Sequence, residues 1–326
     1  MEGRLIARGL FSASQVFLFF ALSFGQEEGF KLSDHPPDYI DVIYKGRIVA
    51  RYMYAYDTST PQRAHETYKP YLHVFDPKLG KPITKGPGGL YTHHRGIFIG
   101  WRKVQVEGKS YDLWSMSGGA QVHKRFLEKE ATKDSATLVS VVLWIDRERK
   151  PLIREERKMT FRPLTDSGIV LIDLETKLEA ARRDVYLGGD PEHAGCQYRP
   201  ANEVVKSETT YVFPKEHADP RKDRDYPWVG ETYTLWGKRY SVVHFNHPSN
   251  PKGTVYSAYR DYGRFGAFFT ARLPLGTSLV LRYRFAVWEG EMPSAEKIQR
   301  LWDDFAARKK PSPVPKLTVK GGKSKR

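Results

Sequence analysis

Only one cysteine, Cys196, occurs in 326 residues, so no internal disulfide can hold the chain together and a small stapled scaffold is excluded. No glycine-rich phosphate loop, dinucleotide fingerprint or Gly-x-Ser-x-Gly elbow appears, which removes nucleoside-triphosphate, nicotinamide and serine-hydrolase readings. Past the first 25 residues no run is apolar enough to span a bilayer, and no stable membrane insertion is expected. Strands alternating with helical patterns are also missing, so a doubly wound parallel sheet is out. Finally, the C-terminal stretch lacks acid: from Arg308 onward there are eight Lys or Arg and no Asp or Glu.

The first residues carry Arg4 and Arg8, then an apolar core densest from Val16 to Leu22, then Ser23-Phe24-Gly25. This order of charge, apolar core and small residues predicts a secretory signal over 1–25, cleaved near Gly25, and a periplasmic or secreted protein. No cysteine stands near that point, so a lipid anchor is not indicated. With eight positive charges in the tail and a surplus of one in the signal, +6 of the formal +15 remains for the folded part. The basic, Pro-bounded stretch 307–326 reads as a disordered extension. Export makes nucleic acid an improbable partner.

Residues 26–306 read as one domain. Alternation of apolar and polar residues dominates it, most clearly at Leu279 to Trp288, where Leu279, Leu281, Tyr283, Phe285 and Val287 share a face. That is the pattern of a half-buried strand. Similar runs occur at Tyr39 to Tyr44, Arg51 to Tyr56, Tyr71 to Phe75, Gly96 to Trp101, Thr137 to Asp146, Ile153 to Phe161, Ile169 to Glu179, Tyr240 to Phe245 and Phe265 to Leu273. So many strands predict an all-β protein, a large two-layer antiparallel β-sandwich. One amphipathic helix is expected from Ser294 to about Arg308, Ser294 capping it and Ile298, Leu301, Trp302 and Phe305 forming its apolar stripe. Lys215 to Thr234 reads as a long loop, with Trp228 and Trp236 placed to meet a ligand.

Three clusters carry candidate chemistry. In Lys85-Gly86-Pro87-Gly88-Gly89-Leu90-Tyr91-Thr92-His93-His94-Arg95-Gly96 a glycine-rich turn delivers two histidines and an arginine to a strand. His93 and Arg95 are expected on one face and His94 on the other, unless the loop conformation persists through the pair. An imidazole beside a guanidinium suits proton transfer next to a charge that steadies an oxyanion or carboxylate; the alternative is that one histidine caps a turn and the other packs on Trp101 or Trp114. In the second cluster, Asp190 to Arg199, an extended chain projects His193, Gln197 and Arg199 from one face, which predicts a wet groove. The third places His247 in a Pro-bounded turn, followed by Tyr262 and Arg264, which share a parity and can add a phenol and a cation to the same rim. His94, His193 and His247 are also the candidates for a divalent metal, zinc, manganese or iron, although no close pair on one helix supports it. Aromatic faces beside His, Arg, Asn and Gln suit the C–H patches and hydroxyls of a sugar.

The pieces Thr92-His93-His94-Arg95-Gly96, Asp190-Pro191-Glu192-His193-Ala194-Gly195, His247-Pro248-Ser249-Asn250-Pro251, Tyr262-Gly263-Arg264-Phe265-Gly266 and Leu281-Arg282-Tyr283-Arg284-Phe285, in this order, resemble a bacterial family of unknown function labelled methane oxygenase PmoA-like. The resemblance spans nearly all of the chain after the signal. It implies an exported protein of bacteria equipped for polysaccharide breakdown, with a build similar to the galactose-mutarotase type of supersandwich. A methane monooxygenase subunit is an integral membrane protein, which conflicts with the lack of a spanning segment.

Three readings follow. The first is an exported enzyme acting on a sugar or oxidised sugar by glycoside cleavage, epimerisation or mutarotation. In it His93 or His94 and His193 move protons, Arg95 and Arg199 hold an oxyanion or carboxylate, and Gln197, His247 and Tyr262 position hydroxyls. The second is a non-catalytic carbohydrate-binding protein. The third is a metal-dependent oxidoreductase, as the family label implies.

Overall fold

The alternating run Leu279 to Trp288 becomes the strand Ser278–Glu289, the middle of a nine-stranded sheet. Its inward residues Leu281, Tyr283, Phe285 and Val287 are all fully buried. The computed structural model describes residues 28–324; the expected signal, 1–25, lies outside the described residues. In order across the sheet run Thr318–Gly321, Thr210–Phe213, Trp228–Leu235, Lys238–Asn246, Ser278–Glu289, Gly168–Ala180, Pro151–Arg162, Ala136–Asp146 and Gly119–Ala131.

A second nine-stranded sheet runs Phe30–His35, Tyr39–Tyr44, Arg47–Met53, Tyr71–Asp76, Ile97–Trp101, Ala194–Tyr198, Phe265–Phe268 and Val255–Tyr256, with Lys81–Pro82 paired beside Tyr71–Asp76. All named strand pairs in both sheets are antiparallel. A four-stranded sheet, Ala271–Leu273, Val185–Gly188, Lys103–Val106 and Lys109–Tyr111, flanks them. The protein is therefore all-β, with its core between the two large sheets.

Pairs of residues that alternate along a strand go to opposite faces, and the helix Ala295–Phe305 covers the outer face of the first sheet. Ser294 caps it by accepting from the Lys297 N–H at 3.3 Å. Ile298 and Trp302 pack onto Trp228, Phe245, Ala286 and Trp288, with Leu301 and Phe305 beside them. Trp228 is thus a fully buried core residue on a strand and not a loop residue waiting for a ligand. Its neighbours Pro227 and Asp225 mark where the loop ends. Trp236 is exposed, at a tight hairpin turn, and a lysine, Lys81, lies 5.6 Å from its ring.

Two expectations are corrected. The tail 307–326 is not disordered throughout, because Thr318–Gly321 pairs in register with Thr210–Phe213. Edge pairing uses backbone donors and acceptors, which a basic composition does not remove. The run Phe265 to Leu273 is not one strand: it splits into Phe265–Phe268 and Ala271–Leu273, which join different sheets. A short helix, Pro61–Thr67, capped by Thr60, was not foreseen.

Between the sheets lies a buried polar network. Glu155 takes Arg157 Nε at 2.7 Å and Nη2 at 2.9 Å, Trp144 Nε1 at 2.7 Å and the Thr176 hydroxyl at 2.8 Å. Burial alone lowers the Arg157 pKa, and the Glu155 charge, then Tyr52 and the hydrogen bond to Glu155, together more than reverse it. Glu155→Ala, leaving a buried unpaired guanidinium, should cost about 3–5 kcal/mol in urea unfolding, with most of it recovered when Arg157 is also made Met. The neutral His244 ring stacks on Phe285 at 4.3 Å, and burial pushes its pKa down to about 3. Between its unfolded value near 6.5 and about 3, only the unfolded chain takes up this proton, so stability falls as pH falls, by about 1.4 kcal/mol per pH unit. His244→Phe should remove that slope, narrowing the stability gap between about pH 7 and about pH 5 by about 2 kcal/mol.

Candidate active site

The first two clusters, with Tyr262 and Arg264 of the third, meet on the outer face of the second sheet. Register sets the floor: Gln197 lies opposite Phe98 on one side and Gly266 on the other. Cys196 and Tyr198, on the opposite parity, join the core. Three loops rise around this floor, carrying residues 84–96, 189–193 and 257–263, and the turn at Asp112 to Trp114 adds a fourth side.

Asp190-Pro191-Glu192-His193 forms a tight turn. The His193 N–H donates to the Asp190 carbonyl at 3.0 Å and the Glu192 N–H to Asp190 Oδ1 at 2.9 Å. Proline's fixed φ suits the second position of such a turn, and aspartate the first. The same carboxylate meets His193 Nδ1, at 2.8 and 3.0 Å to its two oxygens. His193 remains 30% exposed and, with Asp190, Glu192, Arg221, Tyr259 and Arg260, lines an open groove. Glu192 is tied across the groove: Arg260 donates to both its oxygens, Nε at 3.1 Å, and the Tyr259 hydroxyl donates at 3.1 Å. Burial raises the Glu192 pKa, but Arg260, Arg264 and Tyr259 together hold it below the usual value.

The loop conformation persists through His93 and His94, so their rings do not part to opposite faces. They meet edge-on at 4.6 Å. The His94 N–H closes a turn on the Tyr91 carbonyl at 2.9 Å, and its ring lies 5.1 Å from Tyr91, 6.1 Å from Trp114 and 6.2 Å from Tyr262. His94 is buried, and its Nδ1 has no hydrogen-bond partner among the described residues. Burial first, then the Arg264 charge, holds its pKa well below normal. Burial, then the charges of Lys69 and His193, push His93 down to about 4.

The arginines are placed otherwise than expected. Arg95 does not share a face with His93 toward a ligand; it is fully buried and donates to the backbone carbonyls of Thr92, His94 and His65, stapling the loop to the helix Pro61–Thr67. Arg199 is fully buried too and donates to the carbonyls of Pro200 and Tyr262, its guanidinium 4.9 Å from the Tyr262 ring. Burial pushes its pKa down to about 10. Gln197, also fully buried, does not line a wet groove: its Nε2 donates to Ala194 O at 2.8 Å, and its Oε1 accepts from Arg264 Nη1 at 3.1 Å. Arg264 Nη1 also donates to Ser257 at 2.8 Å, and its Nη2 lies 3.7 Å from Glu192. Gly263, at φ +77, is required where the chain turns here, since a Cβ would come within 2.4 Å of Pro200 and 2.6 Å of Glu231 Oε1.

His247 does not join these residues. It leaves the strand Lys238–Asn246 on the helix side, its ring edge-on to Phe305 at 5.1 Å and its Nδ1 2.7 Å from Ser249 Oγ. The proposed metal trio of His94, His193 and His247 is therefore not assembled. Among the described residues no three His, Cys, Asp or Glu side chains are gathered to hold a metal ion, so the donor set does not fit one.

Sequence reasoning missed several residues here. Lys69 is fully buried, its Nζ donating to the Trp114 carbonyl at 2.6 Å, 4.0 Å from the Phe98 ring; burial, then Arg95, hold its pKa well below normal. Burial with Arg95 and Arg199 brings Lys85 to about 7. Glu231 reaches up from the opposite sheet, fully buried, with neither carboxyl oxygen hydrogen-bonded among the described residues. Burial raises its pKa well above normal, against the pull of Arg199. Only the Asp190–His193 pairing had a local signal, the Asp-Pro spacing of a turn that returns its fourth residue to its first.

A family model matches residues 39–303, from the second strand to the last turn of the C-terminal helix. The chain belongs to this family of unknown function, DUF6807. Its description names no activity. No curated protein sequence matches. Among solved structures, the heparan sulfate lyase HepC of Pedobacter heparinus is 8% identical, with 82% of this chain covering 36% of that one at a TM-score of 0.38. A putative aldose 1-epimerase of Escherichia coli K12 is 10% identical, with 81% of this chain covering 99% of that one at 0.32. A galactose mutarotase-like protein of Lactobacillus casei is 8% identical, with 80% covering 100% at 0.32. This DUF6807 chain thus spans little more than a third of the lyase's length, and likenesses of this size carry no functional weight.

In an NMR titration the His93 ring should show a midpoint near 4. Lys69→Met should raise that midpoint while leaving it below the ordinary value near 6.5, because burial is the larger cause; a midpoint unmoved by the substitution would show that the Lys69 charge does not act on His93.

Proposed function

We propose that this groove is the active site of an exported enzyme that processes a sugar or oxidised sugar by proton transfer, with His193 as the transferring group. The observation that carries the reading is the Asp190–His193 pair. A carboxylate on Nδ1 fixes the ring's tautomer, leaves Nε2 with a lone pair to take a proton, and steadies the imidazolium that results. His93 and His94 are buried enough to stay neutral near pH 7 and so supply hydrogen-bonding edges more than charge. Tyr91, Tyr259 and Tyr262 put aromatic faces beside these polar groups, and Arg221 lies 4.1 Å from the Tyr259 ring. Such a mixture suits the C–H patches and hydroxyls of a sugar.

In the proposed step, Nε2 of His193 removes a proton from a sugar hydroxyl or from a carbon made acidic by a neighbouring carbonyl. The same proton, returned to a different oxygen or to the other face of that carbon, completes mutarotation or epimerisation without any external reductant or oxidant. If the carbanion expels a glycosidic oxygen from the neighbouring carbon in place of reprotonation, a C=C bond forms as the C–O bond breaks and the leaving oxygen takes the proton held by His193, which is cleavage by elimination.

A screen of the purified protein against glycosides, 3-keto-glycosides and uronides tests this. On whichever substrate turns over, His193→Ala should lower kcat by about 10²–10⁴-fold, and Asp190→Asn by less. Full activity in a His94→Ala, His193→Ala double variant would overturn the assigned roles. Sugar binding without turnover, indifferent to both histidines, would make this a binding protein instead.

A further inference from the structure

The C-terminal stretch that composition marked as disordered closes on the very loop that holds Glu192. After Thr318–Gly321 pairs with Thr210–Phe213, the Gly322 N–H donates to Thr209 O at 2.9 Å and the Lys323 N–H to Tyr259 O at 2.8 Å. In return the Asp261 N–H donates to Lys323 O at 3.1 Å, which makes a parallel bridge between Arg260 and Lys323. The Ser324 hydroxyl donates to Asp261 Oδ2 at 2.9 Å. Approach is close: a Cβ on Gly322 would come within 2.7 Å of Asp261 Cα and 2.9 Å of Arg260 O.

On its other side the same loop grips the site. The Tyr211 hydroxyl donates to Arg260 O at 2.6 Å, the side chains of Arg260 and Tyr259 hold Glu192, and Arg199 donates to Tyr262 O. Glu192 is the neighbour of His193 in the Asp190 turn. The loop is therefore clamped between the C-terminal stretch and the turn that bears the proposed base.

We propose that Gly322–Ser324 is a positioning strap, fixing the backbone of Tyr259–Asp261 so that Arg260 and Tyr259 keep Glu192, and through it the Asp190–His193 pair, in place for the reaction. This rests on the proton-transfer reading above. Val319, Lys320 and Gly321 are exposed, so the strand before the strap buries little apolar surface and removing it should leave the core intact. What it takes away is the set of backbone partners that keep a polar loop from exploring other conformations.

The test compares the full chain with Gly322→Val, whose side chain cannot fit against Asp261, and with a chain ended after Leu317. Amide exchange is read at Asp261, whose N–H bonds to the strap, and at Gly263, whose N–H bonds within the loop to Arg260 O at 3.2 Å. A strap that positions the loop should cost both amides protection by about tenfold or more in both variants, while core amides such as that of Val242 keep theirs. On a substrate that the full chain turns over, kcat should fall at least tenfold with KM changed less, since an error of about 1 Å at a reacting group costs about 10² in rate. Lys320→Ala, at an exposed position on the strand, should change neither. Protection kept at Gly263 in both variants overturns the strap, whatever happens at Asp261. Absence of turnover in the full chain counts against the proton-transfer reading alone, because the exchange result is obtained without substrate.

Discussion

The site depends on one ion pair, Arg260 to Glu192. Both oxygens of the carboxylate are engaged by one guanidinium, and the two side chains are 11% and 16% exposed. A fork-shaped donor meeting a carboxylate fixes orientation as well as distance, and partial burial keeps solvent from screening it fully. The pair spans two loops that no strand joins. Without it, the Tyr259–Tyr262 loop would keep its backbone ties to Tyr211, Arg199 and the C-terminal stretch but lose its firmest side-chain link to the Asp190 turn. The Tyr259 hydroxyl and the more distant Arg264 add to the same carboxylate, so Glu192 serves as the fixed point from which the positions of His193, Tyr259 and Tyr262 follow.

Around that point the protein buries cations that, among the described residues, have no carboxylate within hydrogen-bonding or ion-pair distance, the buried Glu231 acting on Arg199 only through its charge. Arg95, Arg199 and Lys69 all give their protons to backbone carbonyls. Carbonyls at loop ends need donors when buried, and a guanidinium supplies several in a fixed geometry. The Nη groups of these arginines thus help to build the loops, while the Nε of Arg95 and that of Arg199 have no hydrogen-bond partner among the described residues. Their charge still acts at a distance. Together with burial it disfavours protonation of His94 and Lys85, so the interior of the site is kept poor in additional positive charge.

Much of the architecture was legible in the sequence because a sandwich strand must show one face to the core. Tyr39–Tyr44 matches its alternating run end to end, and Ser278–Glu289 extends its own by one residue on either side. The helix stripe of Ile298, Leu301, Trp302 and Phe305 was equally readable. Side-chain destinations in loops were not. Parity failed at His93 to Arg95 because those residues precede the strand, where alternation has no meaning. It put Gln197 on a face away from the core, yet it could not tell that this face at Gln197 is roofed by Arg264 and Ser257. His247 was grouped with the other histidines as a possible metal donor and hydroxyl partner, but its turn lies at the helix side of the other sheet. Lys69 and Glu231 had no local signal, being ordinary residues made unusual only by what folds over them. The tail misled for a related reason: composition reports whether a segment can bury apolar surface, and an edge strand is held by its backbone.

Under the proposed proton-transfer reading, these placements give different parts to three imidazoles that look alike in the sequence. Burial favours the neutral form by withdrawing water from the charged one, and His93 and His94 have lost that water on the side facing Lys69, Arg264 and each other. A proton delivered to either would stand beside existing positive charge. His193 differs in its surroundings: it keeps part of its surface in the groove and its Nδ1 faces the Asp190 carboxylate. A base must also be reachable by its substrate, and of the three rings His193 is the one lining the open groove. On that reading, exposure in the groove and the contact with Asp190 both favour His193 as the base. The buried pair is left to shape the wall against which a substrate would be held, with His94 fixed by its turn to Tyr91 and His93 fixed by His94.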